Sequence, residues 1–383
     1  MKLRKHLLTA GLLFILPARM LVRGADAPPE RATQSEVDAF KMRLSAATAR
    51  HLHLLLAGDG TVGALKGKSA DGQGAMAFYL MFEITGEEKF RIAALGLTDR
   101  ILHDMRETKF GVLEIKEKEK PGGEMINGGG PPAFGFYTAA AAYVLHREGG
   151  RNDDLKYIAT VLDRYPWNEG GWWSADIDVK TGESKVPMTK PSPINKTASM
   201  AMAAGMVSDF IRESEPELAA RLKQKADKCI YDKIIPAQGT DGFWHYSLSD
   251  KDPKNKDILG YFMLTTQVLM ELRHFVPAYR EPRLDGAIGR AQGFAFKCIA
   301  PMTDPNKGSA CAEHSTANTP SHYAFPAELK RGFQLGPILL GGDHRDEGIK
   351  IMDAALPHFP MGNAGQDGVH AAEPSAFALS LLR

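Results

Sequence analysis

The feature that most constrains the fold of this chain is a repeated pair of helical segments. In each pair a segment rich in Ala, Gly and Met comes first, and a more charged amphipathic segment follows after a short break. The stretch GQGAMAFYLMFEITGEEKFRIAALGLTDRILHDM, residues 72–105, is one such pair. Five pairs follow one another, each roughly 40 to 60 residues long, which is the period of stacked helical hairpins.

The difference in composition within each pair predicts two layers of helices. A helix that is apolar on most sides is covered on most sides, whereas an amphipathic helix shows one face to water. Long loops rich in Gly, Pro and aromatic residues separate the pairs, as in residues 164–193. We therefore predict an all-α fold, an α/α toroid of five to seven helical hairpins with a cleft at its loop end. Residues 172–184 are predicted to form a small β-hairpin with a Thr-Gly turn.

The N-terminus has the pattern of a secretory signal peptide. A basic segment, MKLRKH, precedes the apolar run LLTAGLLFILPA, and the small-x-small sequence Ala25–Ala27 is typical of a cleavage site. We predict a signal peptide at residues 1–27, a linker at 28–35 and one catalytic toroid domain at 36–383. The protein is then expected to be secreted or periplasmic. No later apolar segment is long enough for a membrane-spanning helix.

Charge and cysteine content narrow the classes of partner and of fold. The chain has 47 Lys and Arg against 46 Asp and Glu, and this near-neutral balance gives no support to nucleic-acid binding. Three cysteines are too few for a disulfide-built fold. In an exported protein Cys298 and Cys311 could form a bridge, or all three thiols could stay free, and Cys229 is expected to be buried. We expect a monomer.

Two phrases in the sequence place polar side chains beside apolar helices. In PSPINKTASM, residues 191–200, Asn195 stands at the beginning of an inner helix. In TDGFWHYSLSD, residues 240–250, an Asp-Gly turn leads into His245, and imidazole is a natural proton carrier. Tyr261 begins the next inner helix. Each also has a structural interpretation: Asn195 as an N-cap, His245 as a hydrogen-bonded residue at a helix entry, and Tyr261 as a core aromatic.

An arginine and a set of ring-bearing side chains are further candidates for contact with a ligand. Arg290, in DGAIGRAQGF, is the arginine that we expect to face the ligand. Aromatic rings on loops stack on sugar rings, although such rings can also plug the end of a toroid. The candidate substrate-binding residues are Trp172, Trp173, Trp244, Tyr246, His322 and Tyr323.

Acidic residues in the loops offer a different chemistry. Hydrolysis of a glycosidic bond needs two carboxyl groups, one on each side of the bond. The turn residues that could supply such a pair are Asp59, Asp71, Asp176, Asp178 and Asp241. Asp176, Asp178 and Glu183 could instead bind calcium, but their spacing does not match an EF-hand loop, and a solvated hairpin is the preferred interpretation.

Three of these features together resemble a known active-site layout: Asn195 before an apolar helix, the phrase DGFWHYS about fifty residues later, and the Gly-Tyr pair at 260–261. The layout is that of the α/α-toroid polysaccharide lyases. These include the chondroitin, hyaluronan and xanthan lyases of polysaccharide lyase family eight, and toroid alginate and glucuronan lyases. The gap between His245 and Tyr261 is longer than in family eight, so Tyr246 and Tyr323 remain alternatives to Tyr261.

The resemblance implies an enzyme that cuts a uronic-acid-containing polysaccharide by β-elimination. Asn195 and His245 would neutralise the uronate carboxylate, Tyr261 would act as acid or base, and Arg290 would assist them. No metal or cofactor is required if side chains neutralise the carboxylate. An inverting glycoside hydrolase and a non-catalytic carbohydrate-binding toroid are the alternatives, because fold alone does not decide among them.

Overall fold

A computed structural model describes residues 31–63, 65, 68–111, 116–119, 125–127, 130–178, 181–245, 259–299, 336–356 and 366–383. Most of these residues are helical. The α-helices longer than ten residues in these ranges are α1 (Gln34–His53), α2 (Lys68–Thr85), α3 (Glu88–Arg106), α4 (Gly130–Glu148), α5 (Asn152–Arg164), α6 (Ile194–Phe210), α7 (Pro216–Cys229), α8 (Leu259–Phe275), α9 (Pro282–Ile299), α10 (Arg345–Ala355) and α11 (Gln366–Leu381). A short π-helix (Ile230–Ile234) extends α7, and residues 336–340 are also helical.

The helices alternate between an inner and an outer layer. Helices α2, α4, α6 and α8 pack side by side in that order, and α11 packs against α2. Each inner helix also packs against a helix next to it in the chain: α2 on α3, α4 on α5, α6 on α7 and α8 on α9. Helix α1 covers α11, and residues 336–340 approach α10, where Gly348 lies close to the Leu339 carbonyl. The arrangement confirms the predicted α/α toroid.

The burial of two helices shows why the sequence sorts them into layers. In α6 every residue from Thr197 to Ser208 is buried, so this Ala- and Met-rich helix is covered on all sides. In α5 the buried residues are one stripe, from Leu155 to Leu162 at helical spacing, and Asp153 stays exposed. The apolar segment of this pair type is therefore the inner helix, and the charged amphipathic segment is the outer helix.

Small residues let the inner helices approach closely and keep them parallel. A Cβ on Gly72 of α2 would lie 2.5 Å from Tyr137 Cα of α4. A Cβ on Gly135 of α4 would lie 2.5 Å from the Ser199 carbonyl oxygen of α6. In both contacts the two residues lie in the N-terminal half of their helices. Successive inner helices therefore point in the same direction.

Parallel inner helices give the toroid two unlike ends. At the C-terminal ends of the inner helices the chain passes to the outer layer through short turns at 86–87, 149–151, 211–215, 276–281 and 341–344. The stretches of sequence between an outer helix and the N-terminal end of the next inner helix are longer, at 54–67, 107–129, 165–193, 230–258, 300–335 and 356–365. We call these the turn end and the loop end. The predicted cleft belongs to the loop end.

The strands of the structure are short. Strand β1 (Lys116–Glu119) pairs with β2 (Met125–Asn127), and β3 (Trp167–Asn168) pairs with β4 (Trp172–Trp173), both antiparallel. Within the predicted hairpin at 172–184, Ile177 and Ser184 form an antiparallel bridge around a turn at Gly182, which has a φ of +76°, whereas Trp172 and Trp173 pair with β3. Among the described residues, no helix has the length and apolarity needed to cross a membrane.

Candidate active site

Asn195 lies in the first turn of α6, at the loop end. Pro193 occupies the N-cap position, and no side chain caps the helix, so the structural interpretation of Asn195 as the N-cap is wrong. The Asn195 side chain is buried, and its backbone carbonyl accepts a hydrogen bond from Ser199 Oγ at 2.9 Å. Its Oδ1 is buried and has no hydrogen-bond partner among the described residues. A buried amide oxygen is costly to leave unpaired, which marks Asn195 as a candidate ligand contact.

Strand β4 fixes the position at which α6 begins. The backbone N–H of Trp173 donates to Thr197 Oγ1 at 3.4 Å, and Ser192 Oγ donates to the Trp173 carbonyl. Both backbone groups of one strand residue are thus bound by side chains on either side of Asn195. The proline-rich entry to α6 is held in place by this pair of bonds.

The two tryptophans of β4 have different environments. Trp173 is 1% exposed, and its ring packs against Trp167 with centroids 4.5 Å apart. Trp172 is partly exposed, and Lys233 Nζ lies 5.6 Å from its ring centroid. The structure gives no support to a sugar-stacking role for Trp173, because its ring is in the core. Trp172 keeps that candidate role.

The loop that carries His245 is a tight turn. Asp241 Oδ1 accepts the N–H of Phe243 at 3.0 Å, and Phe243 and Trp244 are both buried. Trp244 Nε1 donates to the Ile234 carbonyl at 3.0 Å, so Trp244, like Trp173, packs in the core rather than at a ligand surface. His245 is exposed, and its ring meets Phe243 edge to face at 5.6 Å. Of the phrase DGFWH, Asp241 and His245 are exposed, and the three residues between them are buried.

Arg290 holds this turn onto the outer helix α9. Its Nε and NH2 groups donate to Gln238 Oε1 at 3.0 and 2.6 Å. A Cβ on Gly242, where φ is +97°, would lie 2.2 Å from the Arg290 carbonyl oxygen, so only glycine allows this approach. These contacts give Arg290 a role in positioning the loop. They give no support to the predicted role of Arg290 as a contact to the substrate carboxylate.

Tyr261 stands in the first turn of α8 and is 37% exposed. Its backbone carbonyl accepts a hydrogen bond from Thr265 Oγ1 at 2.9 Å. Helices α6 and α8 are packed neighbours. A Cβ on Gly205 of α6 would lie 2.8 Å from Leu272 Cδ1 of α8, and both residues belong to the C-terminal part of their helix, so Asn195 and Tyr261 both lie at the loop end. His245 belongs to the segment that leads into α8. The other candidates, Tyr246, His322 and Tyr323, lie outside the described residues.

Three polar side chains inside the ring were missed by the sequence analysis. Gln267 and Glu271 on α8 meet Glu373 on α11. Gln267 Nε2 donates to Glu271 Oε1 at 2.7 Å and to the two Glu373 oxygens at 3.0 and 2.8 Å. The two glutamates are 2% and 1% exposed and hydrogen-bond to each other. Burial raises the pKa of both carboxyl groups, and the neighbouring charge of Glu373 raises that of Glu271 further.

A very small cavity adjoins this carboxyl pair. The space open to the centre of a water molecule is about 10 Å³, which is enough for one water. Its lining includes Gln73 and Met76 of α2 and Met202 of α6 beside the two glutamates. Gln73 Oε1 is buried without a hydrogen-bond partner among the described residues. The signal that could have found this cluster is an acidic residue within an otherwise apolar inner helix, as in TTQVLMEL.

The acidic residues of the loops hold turns or ion pairs. Asp59 Oδ1 accepts hydrogen bonds from the Thr61 N–H at 3.0 Å and from its hydroxyl at 2.6 Å. Asp71 lies in the first turn of α2 rather than in a loop, is buried and has its carboxylate 3.5 Å from Arg100 NH1. Asp178 Oδ1 accepts from the Thr181 N–H at 3.2 Å, as in the preferred hairpin interpretation. In the part of the chain that the structure describes, no three acidic, His or Cys side chains are grouped to hold a metal ion.

Cys229 is buried and unpaired, as predicted for this residue. Its Sγ lies 3.2 Å from Thr197 Oγ1, and burial raises the pKa of its thiol to about 12. The side chain of Cys298 and all of Cys311 lie outside the described residues, so the bridge between them stays a prediction.

Comparison with known proteins supports the fold. Neither a protein-family model nor a curated protein matches the chain. The solved structure of a D-mannose isomerase aligns with a TM-score of 0.56 at 12% identity, over 91% of this chain and 97% of that one. A possible member of the GH105 family from Salmonella enterica aligns with a TM-score of 0.47 at 13% identity, over 92% of this chain and 96% of that one. At these identities the isomerase match shows the fold alone.

Proposed function

We propose that the protein is a carbohydrate-active enzyme, a lyase that cleaves a uronic-acid-containing polysaccharide at the loop end of the toroid. The observation that carries the proposal is the buried, unpartnered Oδ1 of Asn195 in the uncapped first turn of α6. The exposed phenol of Tyr261 begins the adjacent parallel helix.

The beginning of α6 suits a carboxylate. A helix N-terminus carries partial positive charge, and no side chain caps this one. An anion placed there would also meet the Asn195 amide, whose N–H groups can donate to a carboxylate oxygen while Oδ1 accepts from a sugar hydroxyl. The same two features stabilise the extra negative charge that develops on the carboxylate during elimination.

The elimination itself needs one proton removed and one delivered. A base takes the proton from C5, the C–H electrons form the C4–C5 double bond, and the C4 oxygen leaves with a proton. We assign the transfer to the Tyr261 hydroxyl, which can take the proton as phenolate and return it to the leaving oxygen. We assign His245 to the uronate carboxylate, where a ring N–H can donate a hydrogen bond to a carboxylate oxygen.

The alternative hydrolase chemistry has less support. A glycosidase needs its two carboxyl groups about 5 Å or more apart. Glu271 and Glu373 are in hydrogen-bond contact beside a cavity for one water, so they have no room for a sugar between them. Asp59 and Asp241 are each bonded to the backbone of their own turns. The fold shared with a sugar isomerase supports a sugar ligand without favouring either cleavage reaction.

The test is a panel of uronate polymers: glucuronan, alginate, hyaluronan and pectate. We expect at least one to yield a product that absorbs ultraviolet light through its new double bond, in step with new reducing ends. Reducing ends without that absorbance would contradict elimination and indicate a hydrolase. Conversion of free mannose to its ketose, without cleavage of any polymer, would contradict both and indicate an isomerase.

A further inference from the structure

A cavity of about 290 Å³ opens at the turn end, away from the proposed active site. Its walls come from the C-terminal part of α8, the middle of α9, the turn at 341–344 and the last turn of α11. The lining side chains that matter here are Met270, Arg273, Asp285, Ile288, Gln292 and His344. Arg273 follows Tyr261 by twelve residues of α8, which places them about 18 Å apart along the helix axis.

The walls of this cavity are held in place before any ligand binds. Gln292 is 5% exposed, and its Nε2 donates to the Ile338 carbonyl at 3.2 Å, which ties α9 to residues 336–340. Gly342, with a φ of +77°, lets the turn lie directly on Gln292, since a Cβ there would be 2.4 Å from Gln292 Oε1. The His344 ring packs on Phe296 with centroids 4.4 Å apart. Preformed walls reduce the entropy cost of binding.

The chemistry of the lining favours a neutral ligand with several hydroxyl groups. Arg273 Nε donates to Asp285 Oδ1, so among the described lining residues the guanidinium and the carboxylate balance each other. The carboxylate, the guanidinium, the Gln292 amide and the His344 imidazole offer both donors and acceptors. Met270 and Ile288 add an apolar surface. A pyranose ring likewise has polar and apolar parts, with hydroxyls around its edge and C–H groups on its faces.

We propose that this cavity is a second binding site, for a neutral hexose unit, at the end of the toroid opposite to catalysis. The ligand binds with its hydroxyls toward Asp285, Arg273 and Gln292 and with one face on Met270 and Ile288. A site of this kind would keep a sugar ligand attached to the enzyme without touching the reacting residues. The proposal stands whether the loop end is a lyase, a hydrolase or an isomerase.

The test uses the full-length protein and neutral hexoses, namely D-glucose, D-mannose and D-galactose, in calorimetric titrations. We expect saturable binding of at least one of them with one ligand per chain. Gly289 lines the cavity on α9, and a Cβ there meets no atom within 4 Å, so Gly289→Leu fills the cavity without a backbone clash. It should weaken hexose binding at least tenfold. The matched control is Gly96→Leu on α3, also an exposed helical glycine with open space at Cβ, which should leave binding unchanged.

A second variant tests the charge balance directly. Asp285→Asn keeps the shape of the side chain and leaves Arg273 without its partner carboxylate, so the cavity should gain affinity for sodium glucuronate and lose affinity for the hexose. Polymer cleavage should be unaffected by Gly289→Leu, and hexose binding unaffected by Tyr261→Phe, which separates this site from the proposed active site. The proposal is overturned if no hexose binds at millimolar concentration, or if Tyr261→Phe rather than Gly289→Leu abolishes the binding.

Discussion

The two ends of this toroid differ in how some of their polar side chains are hydrogen-bonded. At the turn end, Glu83 accepts hydrogen bonds from Tyr143 at 3.0 Å and Arg147 at 2.6 Å. Beside it Glu148 accepts from Tyr79 at 2.8 Å, and its ion pair with Arg91 has an N–O distance of 2.6 Å. At the loop end Asn195 Oδ1 is buried with no partner among the described residues.

Aromatic packing at the turn end adds to this contrast. The rings of His146 and Phe210 stack with centroids 4.3 Å apart, and Phe275 packs against both Tyr143 and Phe377. These rings join the last turns of four inner helices, α4, α6, α8 and α11. Partial burial lowers the pKa of His146, and the neighbouring Arg147 charge lowers it further. The carboxylates of Glu83 and Glu148 at the turn end are thus bonded within the protein, whereas the Asn195 amide oxygen at the loop end has no partner among the described residues.

The largest expected effect is the loss of an aromatic ring from the turn end. Phe377 is fully buried, and Phe377→Ala should lower the free energy of unfolding by about 3–5 kcal/mol, because it leaves a cavity between α8 and α11. Trp172→Ala at the loop end removes a larger but partly exposed ring and should cost less. Urea denaturation measures both. Equal losses of unfolding free energy in the two variants would contradict the proposal that the turn end contributes more to stability than the loop end.

A smaller effect is expected from a matched pair of tyrosines. Tyr261→Phe at the loop end should reduce turnover roughly 100-fold, the usual scale for loss of a positioned acid or base, with little change in melting temperature. Tyr143→Phe at the turn end removes a hydrogen bond to Glu83 and should lower stability by about 1 kcal/mol with turnover unchanged. Turnover on the best uronate polymer and thermal melting separate the two. Near-normal turnover in Tyr261→Phe would show that our choice of tyrosine is wrong.

The layers of the fold could be read from the sequence because they depend on local composition. Burial all around α6 and along one stripe of α5 follows from residues that are near one another in the chain. Parallel inner helices joined through outer ones then fix which loops share an end. For this reason Asn195 and Tyr261, which both begin inner helices, could be assigned to the same end of the toroid without a measured distance between them.

Contacts between distant parts of the chain could not be read in this way. Gln267 and Glu373 are 106 positions apart, and the sequence around one residue gives no sign of contact with the other. Arg290 looked available because the sequence gives no sign that Gln238, 52 positions earlier, binds its guanidinium. Trp173 was a candidate binding residue because its position in a loop-rich segment does not reveal that its ring is buried. Each of these points concerns what covers a side chain, which is a property of the tertiary structure.

The carboxyl pair in the middle of the ring and Glu148 at the turn end should change the free energy of unfolding in opposite directions as pH changes. Burial raises the pKa of Glu271 in the folded protein, so this carboxyl holds a proton that the unfolded chain gives up. Its contribution to stability is complete below the pKa of the unfolded chain and is lost as pH rises through the folded-state pKa. Glu148 is the opposite case, since its hydrogen bond with Arg91 lowers its pKa, and its contribution is lost as pH falls through that lowered value.

Two isosteric variants should therefore differ from wild type with opposite pH dependence. Glu271→Gln keeps the shape and the donor to Glu373 but cannot ionise, so its stability relative to wild type should rise with pH, by about 1.4 kcal/mol per pH unit at most. Glu148→Gln should be destabilised at neutral pH, and the difference should vanish in acid. Unfolding free energies measured between acid and mildly alkaline pH give both curves. If the two curves slope the same way, the carboxyl pair is not sharing a proton, and the middle of the ring behaves as the turn end does.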